Sequence, residues 1–207
     1  MNNLSTDSEQ VNQINEDVTR IASVLKRDNG ERTTLKRIVE EIRSDRHFKL
    51  VKAIRLQSAK AERSSLKRKL PAAVFSGYWP DSSKNATHPE SESKLAIIDI
   101  DEMTADELKE AREQAKEDKH CLMAFTSPSG YGLKLLFRHQ QTEHLDGWQI
   151  ATEHVQDNYG VEVDVSGKDA KRMCFLSHDP SLHFNPDAKP LPVRVLESRE
   201  DGNLVDF

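Results

Sequence analysis

Cysteine is nearly absent from this 207-residue chain: there are two, Cys121 and Cys174, each inside an apolar, strand-like run. Two such thiols exclude a disulfide framework and fit buried free thiols in a reducing cytoplasm. Long hydrophobic runs are missing as well. No window approaches the roughly 18 uncharged apolar residues of a membrane span, and Met1 to Gln10 is polar, so neither a span nor a secretion signal is expected. No paired Cys-x-x-Cys accompanies Cys174, His178, His120, Cys121 and His183, which argues against a zinc knuckle. Walker spacing, a Ser/His/Asp nucleophile pattern, a helicase motif and internal repeats are likewise missing.

What is present is charge. Apolar residues make up 36% and charged residues 31%, the composition of a globular but unusually wet chain, long enough for one domain with a substantial appendage or two small ones. The net charge of −5 argues against a generic nucleic-acid coat, yet it conceals a division along the chain. Arg43 to Leu70 carries ten Lys/Arg against two acids, and Glu90 to Asp118 carries eleven acids against four bases. A basic arm beside an acidic segment suits a protein that holds a polyanion with one part and metal ions with another. Two solvated helix faces are the plain alternative.

Val11, Ile14, Val18, Ile21 and Leu25 recur at steps of 3 and 4 before Asn29-Gly30, which predicts an amphipathic helix. A second helix is predicted from Thr34, with Leu35, Ile38, Val39 and Ile42 on one face, and two more from Ser44 to Lys69. After Pro71 the texture turns to short apolar runs. Ala72 to Trp79, Lys94 to Ile100, Cys121 to Ser127, Leu133 to Arg138, Val161 to Val165 and Met173 to Ser177 are expected strands, the middle pair forming a hairpin. Helices are expected from the capping box at Thr104 to about Lys119 and from His144 to Tyr159, with Gly160 as the stop. The expected organisation is an α+β fold with three parts: an N-terminal helical segment over 1–70, a core over 71–196 and an acidic tail over 197–207.

The most informative stretch is Leu95-Ala96-Ile97-Ile98-Asp99-Ile100-Asp101. Alternation along a strand puts Asp99 and Asp101 on one face while Ile98 and Ile100 enter the core. Like charges this close are costly without a cation between them, and all-oxygen ligands favour Mg²⁺ or Mn²⁺ over zinc. Asp164, among β-branched residues in Val161-Glu162-Val163-Asp164-Val165, supplies a third acid, with Glu162 as the competing candidate on its face. Three aspartates suffice for a two-metal site of the phosphoryl-transfer kind. The ordinary alternatives are acids in a solvated turn and on an edge strand. Thr126 to Lys134 reads as a phosphate cradle: Gly130 and its neighbouring glycine let backbone N–H groups approach an anion, while Ser127, Ser129 and Lys134 add donors and charge. The same Ser-Pro-Ser-Gly is also an ordinary hairpin turn. Lys168 and Arg172 follow Asp164 closely enough to meet the same polyphosphate.

The ordered blocks Arg68-Lys69-Leu70-Pro71-Ala72, Phe75-Ser76-Gly77, Ile98-Asp99-Ile100-Asp101, Phe125 to Lys134, Val163-Asp164 with Lys168-Asp169-x-x-Arg172, and Phe175-x-Ser177-x-Asp179-Pro180 resemble the VirE N-terminal domain family. That family in turn resembles the primase-polymerases of the archaeo-eukaryotic primase superfamily. The resemblance spans roughly Leu35 to Pro192. It implies a mixed or antiparallel, RRM-like sheet flanked by helices. It also implies a metal site at Asp99, Asp101 and Asp164 and a nucleotide-phosphate site in the loop that holds Ser127, Ser129, Gly130 and Lys134, to which the reading of the residues themselves adds Lys168 and Arg172. The wider superfamily generally has histidine where this chain has Lys134, and its zinc-binding element is missing here.

The function so implied is that of a DNA primase or primase-polymerase of a mobile element, phage or plasmid. A 3′-hydroxyl would attack the α-phosphate of an NTP or dNTP, with Mg²⁺ or Mn²⁺ held by the three aspartates. Single-stranded DNA would be the template, lying along Arg43, Arg46, Lys49, Lys52, Arg55, Lys67, Arg68 and Lys69, and a replicative helicase is the expected protein partner, with no membrane involved. Two rivals stand beside it: a non-catalytic single-stranded DNA or nucleotide-binding module, and a metal-dependent nuclease.

Overall fold

The computed structural model describes residues 16–25, 30–81 and 87–193. It is a mixed α+β fold of three antiparallel sheets and five α-helices among those residues. Strands β1 (Asp17–Ile21), β2 (Glu31–Thr34), β3 (Ala72–Val74) and β9 (Cys174–Phe175) form one sheet in the order β2-β1-β3-β9. Strands β6 (Leu95–Ile100), β7 (Cys121–Thr126), β8 (Leu133–Arg138) and β10 (His183–Phe184) form the second in the order β10-β7-β8-β6. The short strands β4 (Gly77–Tyr78) and β5 (Ser91–Glu92) pair alone. The helices are α1 (Leu35–Arg43), α2 (Phe48–Arg55), α3 (Lys60–Lys67), α4 (Ala105–Glu117) and α5 (His144–Tyr159). None is long and apolar enough to cross a membrane.

The second sheet is buried on both faces. Ala96, Ile98, Ile100, Leu133, Leu135 and Phe137 pack with Ala111 and Ala115 of α4 and with Trp148, Ala151, Val155 and Tyr159 of α5. The alternate residues Leu95, Ile97, Met123, Phe125 and Leu136 share a core with Val18, Ala73 and Cys174 of the first sheet and with Leu35, Ile38, Val39 and Ile42 of α1. Local chemistry sets the helix ends as the sequence implies. Thr34 caps α1 by accepting from the Arg37 N–H, Thr104 and Glu107 form a reciprocal capping box on α4, and Gly160 ends α5 in the left-handed region at φ 64°.

Two expectations are corrected. The helix predicted through Val11 to Leu25 is, over its described part, strand β1; Val11 and Ile14 lie outside the described residues. The helical spacing of Val18 and Ile21 is an accident of a strand buried on both sides. Val18 enters the core with α1, whereas Ile21 points the other way, onto Val74 and Trp79. Thr19 settles the choice. It is fully buried, donates to the Gly77 carbonyl at 2.8 Å and accepts from the Trp79 N–H at 2.7 Å, partners available only across strands. The segment over 1–70 is therefore not wholly helical, since β1 and β2 complete the sheet begun by β3. The other correction concerns Val161 to Val165, which forms no strand; residues 161–164 are irregular and Val165–Lys168 is a 3₁₀ turn. Between β4 and β6 the chain contains β5, and residues 82–86 there fall outside the description.

Candidate metal and nucleotide site

Asp99 is the last but one residue of β6 and shares the face of Leu95 and Ile97. Asp101 follows just beyond the strand. Asp164 arrives from the segment after α5, where its backbone N–H donates to the Asp99 carbonyl at 3.1 Å. The result is a triad in which each carboxylate offers an oxygen within 4.8 Å of the other two. Glu162 stays exposed and outside it, so Asp164 is the acid that the fold brings in.

The charges around the triad are arranged to hold it. Lys134 stands opposite Asp99 in the β6–β8 register, and its ammonium ion-pairs with Asp99 Oδ2. Burial pulls the lysine pKa down, and the facing Asp99 carboxylate outweighs it, so the ammonium is held above its ordinary value. Burial first, and then the neighbouring Asp99, push Asp101 above the usual carboxylate range. Arg172 reaches Asp164 at 3.5 Å. Burial lowers the pKa of Lys67, on α3, against the opposing pull of Asp101. One acceptor is left over: Asp99 Oδ1 is buried and has no hydrogen-bond partner.

Asp99, Asp101, Lys134 and Arg172 line a cleft of about 700 Å³. Its other walls include Ser64, Lys67 and Arg68 from the end of α3, Ser127 from the β7–β8 loop, and Cys174 and Phe175 of β9. The Cys174 thiol is buried and its pKa is pushed up to about 12, so it is a neutral wall, as the sequence reading expects. The volume lies in the range of small-molecule sites.

The β7–β8 loop is a tight turn as well as a cleft wall. The Ser127 N–H donates to the Gly132 carbonyl at 2.9 Å and the Gly130 N–H to the Ser127 carbonyl at 3.0 Å, while the hydroxyls of Ser127 and Ser129 lie 2.9 Å apart. Gly130 has φ +83°, where a side chain is strained. Two of the backbone N–H groups offered for phosphate are thus engaged within the turn, and the buried Ser127 and Ser129 hydroxyls bond to each other. Ser129 opens into an adjoining, smaller pocket, and Lys168 is exposed and lines neither.

The basic arm divides. Lys67 and Arg68 line the cleft, and Arg55 lies along the β7–β8 loop, donating to the Ser127 and His178 carbonyls at 3.4 Å each. Arg43 instead donates to the Leu182 carbonyl, Arg46 sits 3.7 Å from Glu41, and Lys49, Lys52 and Lys69 are exposed.

Asp179, the acid of the Phe175-x-Ser177-x-Asp179-Pro180 block, is a buried anchor of the site. Its carboxylate takes the Arg112 guanidinium at 2.6 Å and the Thr126 N–H at 2.8 Å, fixing the end of β7 where the loop begins. Burial raises its pKa, and the Arg112 hydrogen bond with the other donors outweighs this and holds the carboxyl below the usual range. The signal available beforehand was weak: Arg112 and Asp179 lie 67 residues apart.

No curated protein and no solved structure matches the chain. Residues 65–184 match the family model described as BT4734-like, N-terminal domain, a stretch that holds the aspartate triad, the β7–β8 loop and Arg172 and leaves β1, β2, α1 and α2 outside. The match spans more than half of the chain, which therefore belongs to the BT4734-like N-terminal domain family.

Proposed function

We propose that this protein is a metal-dependent DNA primase or primase-polymerase, transferring nucleotides from NTPs or dNTPs on a single-stranded DNA template in the cytoplasm, in the replication system of a mobile element, phage or plasmid and beside a replicative helicase. The observation that carries the reading is the aspartate triad, with one buried carboxylate oxygen left unpartnered, beside a cleft that Lys67, Arg68 and Arg172 also line. The ordered motifs that resemble the VirE N-terminal domain family and the primase-polymerases add to it.

The donor set fits a hard divalent ion: three carboxylates and no sulfur or imidazole. Mg²⁺ or Mn²⁺ held by Asp99, Asp101 and Asp164 supplies Lewis-acid charge that offsets the negative charge of a reacting phosphoryl group. The chain's own residues do the rest. Arg68, Arg172 and Lys67 orient the triphosphate from the cleft walls, Ser127 donates to it from the loop, and Lys134 holds Asp99 in place through their ion pair. The basic surface of α2 and α3 leads the template toward the cleft.

The reading is tested by primer synthesis on single-stranded DNA with Mg²⁺ or Mn²⁺, offering labelled NTPs and dNTPs separately, with the Asp99→Ala/Asp101→Ala protein alongside. Product that vanishes in the variant is expected. The Lys134–Asp99 pair favours one alternative, a binding module whose triad is neutralised from within. Tight binding of DNA or nucleotide, without product from the unaltered protein, would select it. Cleavage of DNA without added nucleotide would select a nuclease.

A further inference from the structure

Asp101 separates two compartments. The cleft lies on one side; on the other is a pocket of about 340 Å³ that shares Ser64, Lys67 and Asp101 with it. At the low end of ligand-pocket volumes, this second space suits a single nucleotide. Its outer wall is the ring of Tyr131, 51% exposed at the tip of the β7–β8 hairpin.

The backbone that carries the ring is held in place. The Tyr131 carbonyl accepts from the Met103 N–H at 2.9 Å, which ties the hairpin tip to the segment just past Asp101. The Arg63 guanidinium lies 5.7 Å over the ring centre and is itself fixed by the Gln57 and Ser58 carbonyls at 3.0 and 2.7 Å. A half-exposed aromatic face and a half-buried, anchored planar cation form the kind of platform on which a base of any identity stacks. Lys60, Arg63 and Lys67 supply positive charge on this side against Asp101 and Glu102.

We infer that the smaller pocket binds the 3′-terminal nucleotide of a single DNA strand, its base against Tyr131 and Arg63 and its 3′-hydroxyl directed toward Asp101. The inference rests on the nucleotidyl-transfer reading, which requires two nucleotides to meet at the triad: one carrying the attacking hydroxyl, the other the triphosphate. The two compartments meeting at Asp101 provide a place for each, and Lys67, on their common wall, reaches the phosphates of both.

The test is equilibrium binding of a short single-stranded oligonucleotide carrying 2-aminopurine at its 3′ end, read by fluorescence, with a fluorescent dNTP titrated separately. The unaltered protein is expected to change the 2-aminopurine signal on binding. Tyr131→Ala should weaken oligonucleotide binding by about ten- to a hundred-fold and abolish the change, Tyr131→Phe should restore both, and dNTP binding should stay the same in each. Oligonucleotide binding that is equally tight in Tyr131→Ala, with the terminal probe undisturbed, overturns the assignment and leaves the catalytic reading standing. Failure of the unaltered protein to bind either oligonucleotide or dNTP, with or without Mn²⁺, overturns both.

Discussion

Asp99 on β6 and Lys134 on β8 face each other in the antiparallel register, and the lysine ammonium closes on one oxygen of the carboxylate while the other oxygen stays buried and unpartnered. A cross-strand pair is the closest placement that a sheet allows. Here it has a consequence for charge. Three aspartates meet in a space from which water is partly excluded, and Lys134 offsets one of them permanently. The free oxygen of Asp99, with Asp101 and Asp164, remains for a divalent ion.

Removing that lysine should therefore destabilise the protein in a way that a metal repairs. Both side chains are mostly buried, and breaking such a pair by deleting one partner costs about 3–5 kcal/mol, or about 10 °C in Tm for a chain of this size. Lys134→Met is expected to show this loss in metal-free buffer and to recover part of it on addition of Mn²⁺. A melting temperature that ignores both the substitution and the ion would mean that the triad is neutralised elsewhere.

Much of this arrangement is legible in the sequence, and the reasons are local. Asp99 and Asp101 are placed by the two-residue period of a strand, α4 by a four-residue capping box, and the β7–β8 hairpin by the composition of its turn. Where burial is two-sided the period misleads: Val18 and Ile21 are spaced as on a helix because they serve two different cores. Asp164 is brought to the triad by a backbone hydrogen bond to the Asp99 carbonyl and not by a strand ladder, which no side-chain pattern records. The Arg112–Asp179 anchor and the second pocket beside Tyr131 depend on contacts between distant segments, and so became visible only in three dimensions.

The junction between β1 and α1 carries its own pH signature. Glu41 on α1 is buried and accepts from Arg20 of β1 at 2.8 and 2.9 Å, and its other close partner is His47 at 2.8 Å. Burial raises its pKa, but the His47 and Arg20 hydrogen bonds outweigh it and hold the carboxyl at about 2. Because the folded value lies below the unfolded one, the stabilisation is complete above about pH 4.5 and is lost as the pH falls from there toward 2; its size is about 3 kcal/mol. Glu41→Gln should lower the unfolding free energy by a similar amount at pH 7 and flatten its acid limb between pH 4.5 and 2. Denaturant melts across that range measure it, and an unchanged acid limb would show that the Arg20–Glu41 tie is not made in solution.

Gly132 sets how closely the hairpin approaches the triad. A Cβ there would stand 2.5 Å from the Ile100 carbonyl oxygen, 3.1 Å from Asp101 Oδ1 and 3.2 Å from Ser127 Oγ. The carbonyl belongs to a strand and cannot yield, so the loop must lift and take Asp101's surroundings with it. Gly132→Ala is expected to cost about 1–3 kcal/mol of stability while weakening Mn²⁺ binding and primer synthesis together. A variant that melts lower but binds Mn²⁺ as before would show that the triad is built without help from the loop.

The basic arm should not act as one surface, because its members are not equally free to meet a phosphate. Arg43 is engaged by the Leu182 carbonyl and Arg46 lies against Glu41, whereas Lys67 and Arg68 line the cleft and Lys49, Lys52 and Lys69 are exposed. A basic side chain that neutralises a DNA phosphate releases a counterion, so its removal lowers the slope of log Kd against log salt by about one. Lys67→Ala and Arg68→Ala are each expected to weaken single-stranded DNA binding and flatten its salt dependence, and Lys49→Glu with Lys52→Glu to do so more strongly through charge reversal. Arg43→Ala should leave the slope unchanged. If Arg43 alters the slope while Lys67 and Arg68 do not, the strand runs along the outer face of α1 and α2 and does not pass the aspartates, and the cleft would then have to receive its nucleotide without a template.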